Sequence, residues 1–459
     1  MIQSMVGNTI IDKNIYTFCY EQETEKITVY IGDKTIAIPD GIDVIIGQQL
    51  MTNGMNFYKL SSPLSNDCMT IIDKETKYVS LPSQMRAVEY FIEDYKENSK
   101  YTEMRLQFPE LNYFIPSTGR VTVSEEEIAF SRIKAIVYSF DVKYCDTIVS
   151  ISFDVKMNAH KKVKAIAETI SEVTLKFPET DDLEYLTDLY FSVKNFFAFV
   201  CNRQNIGLRN AMLIGNYPQK VIRKGNVVNR IGSTNQKIFF SQKYLEPLEN
   251  EKNVEKTPNG GLFYDKIKEL FQLFFREKEE DLAIIDIGSI HSSFKYRNLI
   301  DLEQSLSITA TFEYYVRTML PEISSQDTVE FYNDIKDLVD GYIKTAKGKK
   351  KKKAKRFKNS LRPQVALEEK IIKLYEGYSN WSPLKSIFSQ WFGDDISTLA
   401  CAANLWRNEL AHGKREYRPD EKVIDAVHLV EHINYAIVLR HAGYSDEQIK
   451  SILSDILIR

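Results

Sequence analysis

The chain is poor in cysteine, has no surplus of positive charge and has no long apolar run. Its five cysteines include no CxxC pair, the spacing of redox motifs and of many zinc sites. Lysine and arginine number 60 against 63 aspartate and glutamate residues, which excludes a chain that is basic overall. The apolar stretches are too short to cross a bilayer, and the first residues lack the pattern of a secretory signal. We therefore expect a cytoplasmic protein with reduced cysteines and no membrane segment.

The composition is that of a folded globular protein. Hydrophobic residues make up 43% of the chain and aromatic residues 12%, which argues against extensive disorder. A chain of 459 residues is too long for one ordinary core, so we expect two or three domains.

The first half of the chain has the alternating apolar pattern of β-strands. In Lys26–Ile38 this alternation surrounds a Gly-Asp turn signal and predicts a hairpin. Ile133–Met157 contains two more alternating segments, which predict an antiparallel pair. Between Asp181 and Asn202 the apolar period becomes helical, and we expect this helix to cover the sheet.

The second half is predicted to be helical. The polar segment Thr257–Gly261 marks a domain boundary, after which apolar residues recur every three or four positions. The sequence thus predicts an α+β fold with a β-rich domain at residues 1–260 and an all-α bundle at residues 261–459. The predicted helices are Leu262–Arg276, Asp301–Met319, Ser325–Ala346, Val365–Tyr378, Pro383–Phe392, Ile396–His412, Lys422–His441 and Asp446–Ile458.

One motif near the end of the chain combines residues that can carry chemistry. The segment Leu405–Gly413 has the sequence LWRNELAHG, and helical geometry puts Asn408 and His412 on one face with Arg407 beside them. Leu405 and Leu410 point in other directions and are expected to supply packing. Histidine moves protons near neutral pH, and guanidinium stays charged and binds phosphate oxygens. These groups fit the cleavage of RNA by its own 2′-hydroxyl, for which no metal is needed, and the expected products carry 2′,3′-cyclic phosphate and 5′-hydroxyl ends.

The hexapeptide RNELAH resembles the RNxxxH signature of the HEPN ribonuclease superfamily. The resemblance covers roughly residue 300 to the C-terminus. It implies a helical bundle that dimerises, so that two copies of the motif form one RNase site without metal or cofactor. By this resemblance Arg407 and His412 are catalytic, and Asn408 is the usual polar residue after the arginine. Bundles of this kind often carry a polar residue on an early helix facing the motif, for which Glu313 is the candidate; an exposed structural glutamate is the alternative.

The order of the domains also looks like that of the ApeA group of bacterial anti-phage proteins. This likeness rests on a β-rich half followed by a helical bundle that ends in the motif. It implies abortive infection through cleavage of tRNA. Because a constantly active RNase would harm its host, we expect the N-terminal domain to restrain the activity or to sense a phage-derived trigger.

A dense run of cations interrupts the helical half. Residues 347–358 read KGKKKKKAKRFK, and like charges at this density repel one another and gain little from burial. The run is therefore predicted to be an exposed loop. A loop that is simply solvated is one interpretation, and contacts with RNA phosphates are the other. The candidate RNA-binding residues are Lys349, Lys350, Lys351, Lys352, Lys353, Lys355 and Arg356.

Other functions remain open from the sequence. The helical domain could be a non-catalytic HEPN module that binds RNA or a partner, or the chain could be a dimeric ligand sensor or adaptor. Arg407 and His412 could instead stabilise the carbonyl end of their helix. His428 and His432 have a spacing found in zinc-binding helices, with His441 further along, but they lack the HExxH order and a nearby carboxylate or cysteine cluster. We therefore expect no metal site.

Overall fold

The computed structural model divides the chain into two compact units. The N-terminal unit comprises residues 1–198, 204–261 and 275–283, and the C-terminal unit comprises residues 199–203, 262–274 and 284–459. The residues that the structure describes are 4–31, 34–36, 38, 42–50, 54–60, 69–71, 79–81, 85–115, 121–123, 128–130, 136–159, 167–202, 206–223, 226–241, 257–281, 283–285, 302–320, 326–360, 365–379, 381–411 and 420–457.

The N-terminal unit is built on antiparallel strands. In chain order these are β1 (Ser4–Ile11), β2 (Asn14–Glu21), β3 (Lys26–Ile31), β4 (Lys34–Ile36), β5 (Val44–Gln49), β6 (Met55–Leu60), β7 (Met69–Ile71), β8 (Val79–Leu81), β9 (Met85–Ile92), β10 (Lys100–Gln107), β11 (Val121–Val123), β12 (Ile128–Phe130), β13 (Ile136–Tyr144), β14 (Thr147–Ala159), β15 (Ala167–Thr180), β16 (Asn210–Arg223) and β17 (Asn226–Phe240).

Part of the main sheet closes on itself. The strand order is β13-β14-β15-β10-β16-β17-β9-β6-β5-β1-β2-β3-β4, and β3 also pairs with β9. Six strands, from β9 through β6, β5, β1 and β2 to β3, therefore form a ring. Its core contains Phe18, Tyr20, Tyr58 and Phe91. A Cβ atom at Gly47 would lie 2.2 Å from the Phe18 ring, so the packing of this core requires glycine there.

The other part of the main sheet is covered by helices. A short helix α1 (Leu111–Phe114) and a long helix α2 (Leu183–Val200) lie on it. Asp182 caps α2 by accepting hydrogen bonds from the backbone N–H groups of Glu184 and Tyr185, at 3.0 and 3.1 Å. Aromatic rings fill the interface between α2 and the sheet, where the ring centroid of Phe197 lies 6.1 Å from that of Phe153 on β14. The predicted covering helix and the predicted strand pairs β3–β4 and β13–β14 are confirmed.

Helix α2 buries a lysine side chain, which is unusual for a charged residue. Lys194 is 0% exposed, and its ammonium has no hydrogen-bond partner among the residues described here. Burial lowers the pKa of Lys194 to about 7, and the nearby Glu110 opposes this shift. The pKa of Lys194 is lower in the folded state than in the unfolded state. The protein is therefore most stable above the unfolded pKa of this lysine, where its amine is neutral in both states, and it loses stability as the pH falls towards 7.

Replacing Lys194 by methionine should therefore stabilise the N-terminal unit at neutral pH. We expect the free energy of unfolding at pH 7 to rise by on the order of 1–3 kcal/mol and the gain to shrink towards pH 10. Denaturant unfolding of the full chain across this pH range measures the effect, with the exposed Lys176→Met as control. A gain independent of pH, or a loss of stability at pH 7, would contradict the prediction.

The C-terminal unit is helical, and most helices lie close to their predicted positions. Two short 3-10 helices, Gly260–Leu262 and Tyr264–Lys266, precede α3, although the first residues of this segment belong to the N-terminal unit. The helices are α3 (Ile267–Gln272), α4 (Leu302–Met319), α5 (Gln326–Thr345), α6 (Gly348–Ser360), α7 (Leu367–Glu376), α8 (Lys385–Phe392), α9 (Ser397–Ala411), α10 (Glu421–His441) and α11 (Asp446–Leu457). The prediction of one helix over Leu262–Arg276 is too long, because bonds between residues three apart close the chain into tight turns after α3.

The central element of this unit is α10, against which α4 and α9 pack. Residues 429–439 of α10 are all buried, so this stretch is enclosed on every side. Asp420 caps the helix by accepting a hydrogen bond from the Val423 N–H at 3.0 Å. The Asn434 side chain donates to the Ile308 carbonyl at 3.0 Å, which sets α10 against α4.

The lysine-rich run is a helix, and the prediction of a loop at residues 347–358 is wrong. Lysine, alanine and arginine are good helix formers, and α6 packs along α5. One carboxylate of α5 offsets part of the repulsion between the cations, through the ion pair between Lys358 and Asp340. Helix propensity and packing along α5 therefore outweigh the repulsion between the like charges.

No helix in the described part of the chain is both long and apolar enough to span a membrane.

Candidate functional site

The site is built on α9, whose orientation is set by one buried face. The helix begins where the Asp395 carboxylate accepts hydrogen bonds from the backbone N–H and hydroxyl of Ser397, at 2.9 and 2.6 Å. Ala400, Ala403 and Trp406 are buried and follow each other at helical spacing. The two alanines allow close approach to neighbouring helices, and the 1% exposed Trp406 fills the space beyond them.

The residue before this tryptophan points outwards. Leu405 is 58% exposed, so the prediction that it supplies packing is wrong. The reason is geometric: neighbouring positions on a helix differ by about 100°, and Trp406 occupies the buried direction. Leu410 is half-buried. Sequence reasoning missed Trp406, although an indole directly beside Arg407 is a signal for an anchoring residue.

Arg407 lies at the edge of the buried face and contacts α4. Its Nη2 atom lies 3.3 Å from Oε2 of Glu313, and its Nη1 atom donates to Oδ1 of Asn408 at 3.2 Å. The side chains of Arg407 and Glu313 are 37% and 36% exposed. Three of the residues singled out in the sequence, Arg407, Asn408 and Glu313, therefore come together although 94 positions separate Glu313 from Arg407.

This arrangement suits a guanidinium that is held in place yet open to a ligand. The carboxylate and the amide each accept one hydrogen bond, and guanidinium has five N–H donors in a planar fork. An ion pair this exposed contributes only ~0.2–1 kcal/mol to stability, so its main physical effect is on where the guanidinium points. Asn408, which lies on the same helix as Arg407, also limits the orientation of this guanidinium.

His412, the other predicted catalytic residue, lies outside the described residues, as does Gly413. The described part of α9 ends at Ala411, directly before the histidine. The predicted role of His412 therefore rests on the sequence motif.

Replacing Glu313 by glutamine tests whether this carboxylate positions Arg407. If RNA is cleaved at the site, we expect kcat to fall by about tenfold with little change in KM, because a neutral amide holds the guanidinium less firmly than the carboxylate does, while the fold is kept. The exposed Glu376→Gln on α7 is the matched control. Initial rates and thermal unfolding of the three proteins measure this, and an unchanged kcat would assign Glu313 a purely surface role.

The lysine-rich helix forms a separate surface. Its extensive contacts are with α5, whereas Arg407 and Glu313 join α9 to α4. The seven cations predicted to bind RNA are all exposed on α6: Lys349, Lys350, Lys351, Lys352, Lys353, Lys355 and Arg356.

The histidines of α10 take part in packing and local hydrogen bonds. Nδ1 of His432 lies 2.7 Å from the His428 carbonyl oxygen, and Nδ1 of His428 lies 3.4 Å from the Glu431 carboxylate. The His432 ring contacts the rings of Phe392 and Trp391, with centroids 5.1 and 5.7 Å away. Within the residues that the structure describes, no group of three or more histidine, cysteine, aspartate or glutamate side chains could hold a metal ion.

One protein family matches this part of the chain. Residues 306–448 match the model of the family described as Apea-like HEPN, a range that includes Glu313, Arg407 and Asn408. The chain therefore contains a HEPN domain resembling that of ApeA, as RNELAH and the domain order indicate. The predicted fold class is also confirmed: a region rich in antiparallel sheet precedes a helical region that contains the HEPN domain. HEPN domains bind RNA, often dimerise and are generally RNases, so this domain suggests an RNA-related function. No curated protein and no solved structure matches the chain.

Proposed function

We propose that this chain is a metal-independent endoribonuclease of the HEPN type that acts in anti-phage defence as a homodimer. The observation that carries the proposal is the contact between Arg407 and Glu313 within the segment that matches the family. It holds a phosphate-binding group at a half-exposed position, five residues before the histidine of the RNxxxH motif in the sequence.

The proposed reaction is an internal transesterification of RNA. The ribose 2′-oxygen attacks the adjacent phosphorus as it loses its proton, and the bond from phosphorus to the 5′-oxygen breaks as that oxygen gains a proton. His412 is suited to one of these proton transfers because imidazole titrates near neutral pH. Arg407 is suited to stabilise the negative charge on the non-bridging oxygens. The products are a 2′,3′-cyclic phosphate and a 5′-hydroxyl.

A homodimer would supply the second half of the reaction site. Each chain has one RNELAH motif, and a single helix surface cannot enclose a phosphate. Exposed leucines lie on both helices that carry the site: Leu405 on α9 and Leu306, 40% exposed, on α4. Apolar side chains at such a surface favour contact with another protein surface. These features support the proposal that two copies of the motif face each other.

The substrate and trigger are proposed from the likeness to ApeA. We take tRNA as the substrate and a phage-derived signal at the N-terminal unit as the trigger. A cavity of about 230 Å³ in that unit supports a sensing role, because it combines charged and aromatic side chains. Its lining includes Glu25, Arg209, Lys237 and Phe239.

The decisive experiment is cleavage of total tRNA by the purified full chain in the presence of EDTA. The proposal expects fragments whose 3′ ends carry a 2′,3′-cyclic phosphate and whose 5′ ends are hydroxyls, as read by end-labelling. Fragments with a free 3′-hydroxyl, or cleavage that EDTA abolishes, would rule out this chemistry.

A second candidate is a non-catalytic HEPN module that binds RNA. The engagement of Arg407 by Glu313 and Asn408 favours it, since these contacts would also suit a structural arginine. The tRNA experiment separates the two: a binding module retains tRNA in a mobility-shift assay and leaves it intact at every protein concentration.

We further propose that α6 binds the RNA backbone. The helix carries eight lysine or arginine residues and no acidic residue, a charge density that suits a polyanion. The double variant Lys352→Gln with Lys355→Gln should bind RNA more weakly. The slope of the logarithm of the RNA association constant against the logarithm of salt concentration should become shallower by about 0.7 for each phosphate that the protein no longer neutralises. The test uses His412→Ala protein, so that RNA stays intact. The control is Lys358→Gln, since Lys358 already pairs with Asp340; equal slopes in all variants would contradict the proposal.

A further inference from the structure

An apolar seam runs along the exposed side of α5. Phe331, Ile335, Leu338 and Tyr342 follow one another at steps of four, three and four residues, the spacing by which one helix packs along another in a coiled coil. Phe331 is 60% exposed, Leu338 70% and Tyr342 51%. Large apolar side chains in this pattern are normally covered, so the seam is a surface suited to a further helix.

The neighbouring helix α6 forms one wall of this surface. A groove of about 540 Å³ lies between α5 and α6, and Phe357 of α6, itself 54% exposed, contributes to it. Lys350 and Lys353 also line the groove. The side of the seam towards α6 is therefore positively charged.

The opposite side of the seam is negatively charged. Glu330, Asp334 and Asp337 are exposed, and at 100° per residue they lie around α5 on the side away from α6. The seam thus has an acidic edge and a basic edge. A surface whose two edges carry opposite charge is complementary to itself in one orientation.

We propose that this seam, formed by Phe331, Ile335, Leu338 and Tyr342, packs against the same seam of a second copy of the chain, with the two α5 helices parallel. A twofold axis along the helices brings the acidic edge of each copy to the lysines of the other. A twofold axis across the helices brings acid to acid and one lysine-rich α6 to the other, which is repulsive. The charge pattern therefore selects the parallel arrangement.

This contact rests on the proposed function because it assumes the proposed homodimer. It adds a second interface to that dimer, on a face other than the one that carries Arg407. Its physical basis is independent of catalysis. Association and RNA cleavage can therefore be measured separately, and each can fail without the other.

The first test measures the association of the full chain by sedimentation. Leu338→Glu is expected to weaken self-association by at least about tenfold, because it puts a charge in the centre of the seam. Asn333→Glu, on the far side of α5, is the matched control and should leave association unchanged. Lys353→Glu and Asp337→Lys should each weaken self-association by about threefold, and the double variant should associate as strongly as wild type.

The second test measures the orientation by oxidative cross-linking. In the parallel arrangement each residue of the seam faces its own counterpart, so Leu338→Cys should form a disulfide between two copies. Wild type and Asn333→Cys, treated with the same mild oxidant, control for the native cysteines. A mixture of Phe331→Cys and Tyr342→Cys chains should not form the mixed dimer that an antiparallel pair would give.

The outcomes distinguish the inference from the proposed function. Unchanged sedimentation of Leu338→Glu, or no cross-link from Leu338→Cys, overturns the seam even where tRNA is cleaved. A variant Leu338→Glu that loses RNA binding at unchanged mass overturns it as well, because the groove then holds RNA. A cross-link from Leu338→Cys, together with wild-type protein that cleaves no RNA, supports the seam and refutes the RNase.

Discussion

Alanine at position 412 is expected to lower the rate of RNA cleavage by about a hundredfold to ten-thousandfold, since the reaction then lacks a group that moves protons at neutral pH. Arg407→Ala should lower the rate of RNA cleavage by at least about a hundredfold, because the charge that develops on the phosphate is no longer stabilised. Arg407→Lys should recover little of this loss, as an ammonium group lacks the planar fork of guanidinium. Single-turnover cleavage of tRNA measures all three.

The controls for this prediction are residues of the same type elsewhere in the chain. His441 is exposed at the end of α10, and Arg230 is exposed on β17 in the N-terminal unit. Alanine at either position should leave the rate within about twofold of wild type. Circular dichroism must show that the variants at positions 407 and 412 keep their helical content. A folded His412→Ala protein with full activity would refute the assigned chemistry.

Replacement of Trp406 by alanine is expected to destabilise the C-terminal unit by about 3–5 kcal/mol. The indole is 1% exposed, and its removal would leave a cavity where α9 packs on its neighbours. Because Trp406 also sets the rotation of α9, Arg407 should no longer reach Glu313 in this variant. Denaturant unfolding of the full chain, followed by far-ultraviolet circular dichroism, measures the change in stability.

The adjacent Leu405 provides a stringent control for this effect. It has an apolar side chain on the same helix but is 58% exposed, so Leu405→Ala should change the free energy of unfolding by less than about 0.5 kcal/mol at protein concentrations at which the chain is monomeric. The loss of stability in Trp406→Phe should lie between those of Leu405→Ala and Trp406→Ala, since phenylalanine fills part of the indole volume. A similar loss of stability from Leu405→Ala and Trp406→Ala would show that burial on α9 is wrongly assigned.

The helices and the motif were predictable because they depend on local patterns. Apolar residues at steps of three and four predicted α4, α5 and α7 to α11 close to their observed bounds. The motif RNELAH is contiguous, so Arg407 and Asn408 could be identified without knowledge of any neighbour in space. The loop prediction for residues 347–358 failed because it considered only the repulsion between the lysines, whereas their helix propensity, the packing along α5 and the ion pair with Asp340 favour a helix.

By itself, the sequence determined which residue types are available for chemistry and which segments are helices or strands. Only the tertiary structure decided that Trp406 rather than Leu405 faces the core, that Glu313 meets Arg407, and that α5 leaves its apolar seam exposed beside a lysine-rich helix. The physical reason is that helical periodicity repeats within one segment, whereas the rotation of a helix and the partners of its side chains depend on residues far away in the chain.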